Sequence, residues 1–248
     1  MKKSKMSLIF KKAPFPATMT IISFVLFIAV YLFVTMTSIE PYYFEGLIFG
    51  VPFIFFGIIT FFTVRQKLKV TASSVITFIL IFIFGISMLF VFISISIDAA
   101  ITVTTDVSKY ERVLKLTNYP NNTLIKNFPA KIPASTKNIV FSYNPALFQG
   151  GENFGLKFEA HSDSIKNYIE EFSKKAKWTG KASDTEAEKR GVYSGLFKSF
   201  GYTELPEDFI IYLIESKPYH SDDWNHGEIS LAAISKQRNE IIFIAEDW

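Results

Sequence analysis

The sequence predicts a membrane protein in which three transmembrane α-helices are followed by one extracytoplasmic α+β domain, built from antiparallel hairpins with a packed helix. Three observations predict it. Residues 1–97 hold three long apolar runs, none containing Asp, Glu, Lys, Arg or His. The segments flanking those runs alternate between basic and base-free. Residues 98–248 lose the continuous apolar character and show strand and helix periodicities instead.

Each run is long enough to cross about 30 Å of hydrocarbon, which takes about 20 residues as a helix. The runs cover 18–39, 46–64 and 75–97. Hydrocarbon leaves an unpaired backbone group at a cost of several kcal/mol, so these segments are expected to be helical. The first could instead be a cleaved signal peptide. Its apolar run is long for one, and TMTSIEP lacks a small-residue cleavage site, so it reads as an uncleaved anchor.

Charge sets the expected orientation. Five Lys precede the first run. The loop SIEPYYFE has two acids and no base, and RQKLKVTASS has three bases and no acid. A plasma-membrane topology follows, with a basic cytosolic tail (1–17), the first loop outside, the second inside and residues 98–248 outside. Tyr42 and Tyr43 then fall at the outer interface, where amphipathic rings are favoured. The short inner segments are too small to fold as a catalytic domain.

Residues 1–97 carry eight bases and two acids. Taking eight from 26 bases and two from 23 acids leaves 18 and 21, so residues 98–248 are net −3. The overall positive charge belongs to the membrane part and gives no sign of nucleic-acid binding. The chain has no Cys, which removes disulfides, Cys-ligated zinc and a thiol nucleophile.

Ion carriers usually place ionisable groups among their spans. None is present here, so a self-contained ion path is not expected. The second run carries Gly46, Gly50 and Gly57 on one stripe, with GLIFG as a G-x-x-x-G match. Small residues let helices approach closely, so these three are the candidate helix-packing residues, within the chain or between copies in an oligomer.

In the C-terminal part, SKYERVLKL (108–116) suggests a short helix leaving the membrane, followed by Pro/Asn/Thr-rich turns. NIVFSY (138–143) and FGLKFEA (154–160) alternate as strands do. HSDSIKNYIEEFSKKAK (161–177) places Ile165, Tyr168, Ile169, Phe172 and Ala176 on one helical face. Residues 178–207 give no clear pattern. FIIYLIES (209–216) reads as a strand, and EISLAAIS (228–235) with IIFIAED (241–247) reads as a hairpin around KQRNE. The order predicts a sheet with a helix on one face.

Gly150–Gly151 is the only Gly pair. A phosphate-binding loop needs a following Lys and Ser/Thr and a helix to receive the phosphate. Glu152, Asn153 and a strand follow instead, so the pair reads as a strand connection. The stretch HSDDWNH supplies His220, Asp222 and His226 as candidate metal ligands, which are the right types for zinc but lack helical ligand spacing. No cofactor is expected. Glu246 and Asp247, beside Trp248, would neighbour this stretch if the hairpin pairs as expected, giving an acidic-aromatic patch. No hydrolase signature such as G-x-S-x-G or H-E-x-x-H is present.

NFPAKIP followed by KNIVFSYNPALFQGG, together with NHGEISLAAISKQRNEIIFIAEDW, resembles an uncharacterised family of exported domains. Those domains occur in membrane proteins and lipoproteins of Bacillus-like low-GC Gram-positive bacteria. The resemblance covers about residues 105–248 and implies a bacterial plasma membrane, without implying any activity. The expected function is a membrane-anchored extracytoplasmic interaction or sensor-like module without catalytic activity. Its expected partners are the lipid bilayer and another membrane or extracytoplasmic protein. The alternatives are an accessory subunit of a transporter, secretion or peptide-immunity system, motivated by the glycine stripe, and a wall- or peptide-directed hydrolase, motivated by the His/Asp stretch.

Overall fold

A computed structural model of the chain describes residues 5–145, 151–184, 195–217 and 227–247. The chain divides into two compact units, Met1–Ala99 and Ala100–Trp248.

The first unit is helical. A short helix α1 (Lys5–Lys12) precedes α2 (Pro14–Thr37), and Pro14 at the first position supplies the helical φ where its absent N–H has no partner within α2 to lose. Then come α3 (Tyr43–Leu47), a 3-10 turn at Ile48–Gly50 and α4 (Val51–Val64). Pro52 explains the 3-10 turn: it has no N–H for the Ile48 carbonyl, which accepts from Val51 instead. The last helix, α5 (Val70–Ile101), has 32 residues. At 1.5 Å per residue it is about 48 Å long, more than one hydrocarbon thickness. Three helical segments, Pro14–Thr37, Tyr43–Val64 and Val70–Ile101, are thus long and apolar enough to cross a membrane. Each runs a few residues past an expected edge. The extension of α5 takes in Asp98, which accepts a 2.7 Å hydrogen bond from the Tyr42 hydroxyl. Tyr42 is buried against Val34, Phe49 and Ile95, while Tyr43 is exposed.

The second unit is one six-stranded, all-antiparallel sheet. Its strands are β1 (Lys137–Asn144), β2 (Asn153–Glu159), β3 (Trp178–Gly180), β4 (Phe209–Lys217), β5 (Glu228–Ser235) and β6 (Glu240–Asp247), in the order β1-β2-β6-β5-β4-β3. The β5–β6 hairpin pairs Ser235 with Glu240 across four turn residues, and Asn239 takes the left-handed conformation that Asn tolerates. Between β2 and β3, helix α7 (Ser162–Lys175) crosses the sheet. Its 14 residues span about 21 Å, close to the ~19 Å of four strand spacings. Tyr168 meets Phe158 of β2 and Phe243 of β6, and Phe172 meets Tyr212 of β4.

The expected short helix over 108–116 is present as α6 (Tyr110–Leu116), and it contributes to the core of the second unit. Tyr110, Val113 and Leu114 are buried, and the Tyr110 ring packs on Phe141 and Phe154 of the sheet. Ile125 and Phe128, from the stretch expected to be turns, are buried too, and Phe128 packs on Phe154 and Phe243 of that sheet face. The opposite face is also covered. There Leu196, Phe197, Phe200 and Leu205 close over Phe209, Ile211, Leu231, Ala233, Ile242 and Ile244. This explains why β5 and β6 read as nearly continuous apolar runs: both of their faces are buried. The apolar covers are short and aperiodic, so pattern reading leaves them as loop.

Candidate functional site

The glycine stripe of the second span faces α2 of the same chain. A Cβ on Gly46 would stand 2.9 Å from the Tyr31 ring, one on Gly50 3.4 Å from the Phe27 ring, and one on Gly57 3.9 Å from the Thr20 methyl. In each pair the residue numbers add to 77, as they do for Phe24 and Phe53, whose ring centroids are 5.1 Å apart. A constant sum is what two antiparallel helices in continuous register produce. One turn along from Gly57, the Thr20 and Thr60 hydroxyls share a hydrogen bond of 3.1 Å. In this chain the stripe makes a contact with α2. Gly50→Ile is expected to weaken the helix pair by about 1 kcal/mol, because its branches run into Phe27. Gly57→Ala, in ordinary contact distance, should be neutral. Equal thermal stability of both variants in detergent extracts would contradict this packing.

In the second unit, one end of the sheet gathers carboxylates. Asn153 at the start of β2 pairs with Glu246 near the end of β6, and Asp247 pairs with Glu228 at the start of β5. Tyr143 of β1 donates 2.7 Å to Glu152 Oε1, and the Asp247 amide donates 2.9 Å to the Glu152 carbonyl. Lys217 closes an ion pair on Glu228. Burial pushes Glu152 above the ordinary carboxylate range; the Tyr143 hydrogen bond pulls it back and the Asp247 charge pushes it further up. Glu246 is raised by burial and lowered again by its hydrogen bond with Asn153. The arrangement gathers hydrogen-bonded carboxylates at one end of the sheet.

The raised groups carry a sign. A carboxylate whose folded pKa lies above its unfolded value binds its proton more tightly when folded, so its contribution to stability falls as pH rises through that interval. Glu246→Gln is therefore expected to be more stable than the natural chain at neutral pH. That advantage should shrink as pH falls from the raised value toward 4.5. Melting curves across that range check it, and an advantage that grows on acidification would contradict it.

A second polar group holds the cover of the other sheet face. Lys157 of β2 donates 2.9 Å to the Phe200 carbonyl and lies over the Tyr202 ring. Tyr202 donates 2.9 Å to the buried Glu240. Burial, then the Glu240 hydrogen bond, pushes the phenol up to about 12. A tyrosine used for proton transfer near neutral pH needs the opposite shift. The Lys157–Tyr202–Glu240 chain is a latch that ties residues 200–202 to β2 and β6. Its members gave no sequence signal, since each is a lone polar residue whose partner lies about 40 positions away.

The weak metal-ligand candidates His220, Asp222 and His226 lie outside the described residues, as do Gly150 and Trp248. Among the described residues no group of three or more His, Asp or Glu is placed to hold a metal ion. Gly151 sits in the connection between the adjacent antiparallel strands β1 and β2.

No family model matches the chain, and no similar protein is found among curated proteins or solved structures.

Proposed function

We infer that the chain is a membrane-anchored interaction or sensor-like module of a bacterial plasma membrane. Its N-terminus is cytosolic, and its sheet domain stands outside and recognises another membrane or extracytoplasmic protein. The observation that carries this reading is the sequence of units. Three helices able to cross a membrane, with basic and base-free flanks in alternation, lead into a separately packed domain. The domain fits a binding role because its sheet is sealed on both faces, which leaves its acidic strand end and loops as the polar recognition surface. The resemblance of residues 105–248 to exported domains of Gram-positive bacteria supports the same placement.

An accessory subunit that works through its spans is the second reading. Its motive is the glycine stripe, which packs on α2 in this chain. The two readings separate in a chimera in which residues 1–97 are replaced by one unrelated anchor helix of matching orientation. Cross-linking in the native membrane should capture the same partners with chimera and natural chain. Loss of all of them from the chimera would move the function into the spans.

A further inference from the structure

The helical unit contains a half-open apolar cavity. Its volume is about 400 Å³, and it lies between α2, α4 and α5. Its walls include Phe27 of α2, Phe56 of α4, and Phe84, Gly85 and Met88 of α5. Ser23 is the only lining side chain with a hydrogen-bonding hydroxyl, and that hydroxyl donates 3.0 Å to the Thr20 carbonyl. A polar ligand would therefore find only one spare acceptor, the Ser23 hydroxyl oxygen.

Position and size narrow the occupant. The lining residues run over 19–30 on α2 and 81–92 on α5, the middle of both helices. Eleven residues of helical rise give a length of about 16 Å, half of a ~30 Å hydrocarbon core. At the level of the cavity α5 already touches both neighbours. Phe84 stands 5.4 Å from Phe55 and 5.9 Å from Phe56, and Phe92 stands 6.1 Å from Phe33, centroid to centroid. A further helix, about 10 Å across, does not pass between such rings. An unbranched hydrocarbon chain does. A methylene group is close in size to a water molecule, about 30 Å³, so the volume suits about a dozen methylenes. A half-open apolar space of this size lacks dispersion partners along its lining, which a flexible chain supplies.

We propose that this cavity is a binding site for one acyl chain of a bilayer phospholipid, held between α5 and the α2–α4 pair at the level where lipid tails end. Gly85 makes the site testable, because a Cβ there meets nothing within 4 Å. Gly85→Leu fills the cavity from its wall and replaces a poor helix former by a good one. The full chain is reconstituted in phosphatidylglycerol vesicles, extracted in mild detergent and weighed by native mass spectrometry. The natural chain should retain one phospholipid. Gly85→Leu should retain at least about tenfold less, the change that 1.4 kcal/mol brings. Gly85→Val should fall between them, and Phe90→Leu, an exposed position of α5 outside the cavity, should match the natural chain. A natural chain extracted free of lipid would overturn the assignment, as would equal lipid on Gly85→Leu. A dimer that Gly85→Leu dissociates would instead make a second copy the occupant.

Discussion

Phe243→Ala should lower the stability of the sheet domain by about 3–5 kcal/mol, the usual cost of emptying a large aromatic site in a core. Phe243 lies on β6, the strand between β2 and β5, and is buried. Its ring is 5.4 Å from Phe128, 5.9 Å from Phe158, 5.8 Å from Tyr168 and 5.8 Å from Phe172. It therefore joins the sheet to α7 and to the segment after α6, and no one neighbour can move to fill the gap. Set against a total of about 5–15 kcal/mol for an ordinary domain, the loss is large. It corresponds to a fall in melting temperature of about 10 °C. All three Trp lie beyond residue 177, so fluorescence follows this domain without interference from the helices. A loss below about 1 kcal/mol would show that the aromatic cluster is not the core.

The second large effect is expected at Gly155. A Cβ there would stand 2.3 Å from Phe200 Cζ, far inside contact distance. Phe200 has little freedom to retreat: its amide donates 3.0 Å to the Phe197 carbonyl and its own carbonyl accepts from Lys157. Gly155→Ala should therefore cost about 1–3 kcal/mol through overpacking. Phe200→Leu, destabilising by itself, should cost less in the Gly155→Ala background, because it removes the atom that clashes. Additive losses from the two changes would mean that the ring and the glycine do not meet.

Both positions mark the limit of what the sequence discloses. Gly155 was legible as one outward step of an alternating strand, but its need for a bare backbone comes from Phe200, 45 residues later in a stretch without periodicity. Strands whose residues alternate, and α7 with its single apolar face, could be read because each pattern reflects one local environment. The placement of β6 between β2 and β5 is a long-range pairing, and no local periodicity encodes it. Likewise the stripe of Gly46, Gly50 and Gly57 announced a close approach, and only the register with Tyr31, Phe27 and Thr20 identified α2 as the partner. The carboxylates at the sheet end were half visible. Glu246 and Asp247 stand together at the end of an expected strand, whereas Glu152 follows a glycine pair that reads only as a strand connection. The Tyr143 hydroxyl that binds Glu152 lies on the neighbouring strand.

The proposed orientation puts the sheet domain outside the membrane and the α4–α5 turn inside. The absence of Cys allows a direct measurement. Single cysteines are introduced as Lys174→Cys, on the exposed side of α7, and as Lys67→Cys, in the turn between α4 and α5. Intact cells are treated with a membrane-impermeant maleimide, and again after permeabilisation. Lys174→Cys should be labelled in intact cells and Lys67→Cys only after permeabilisation. Labelling of Lys67→Cys in intact cells, with Lys174→Cys protected until the membrane is opened, would contradict it.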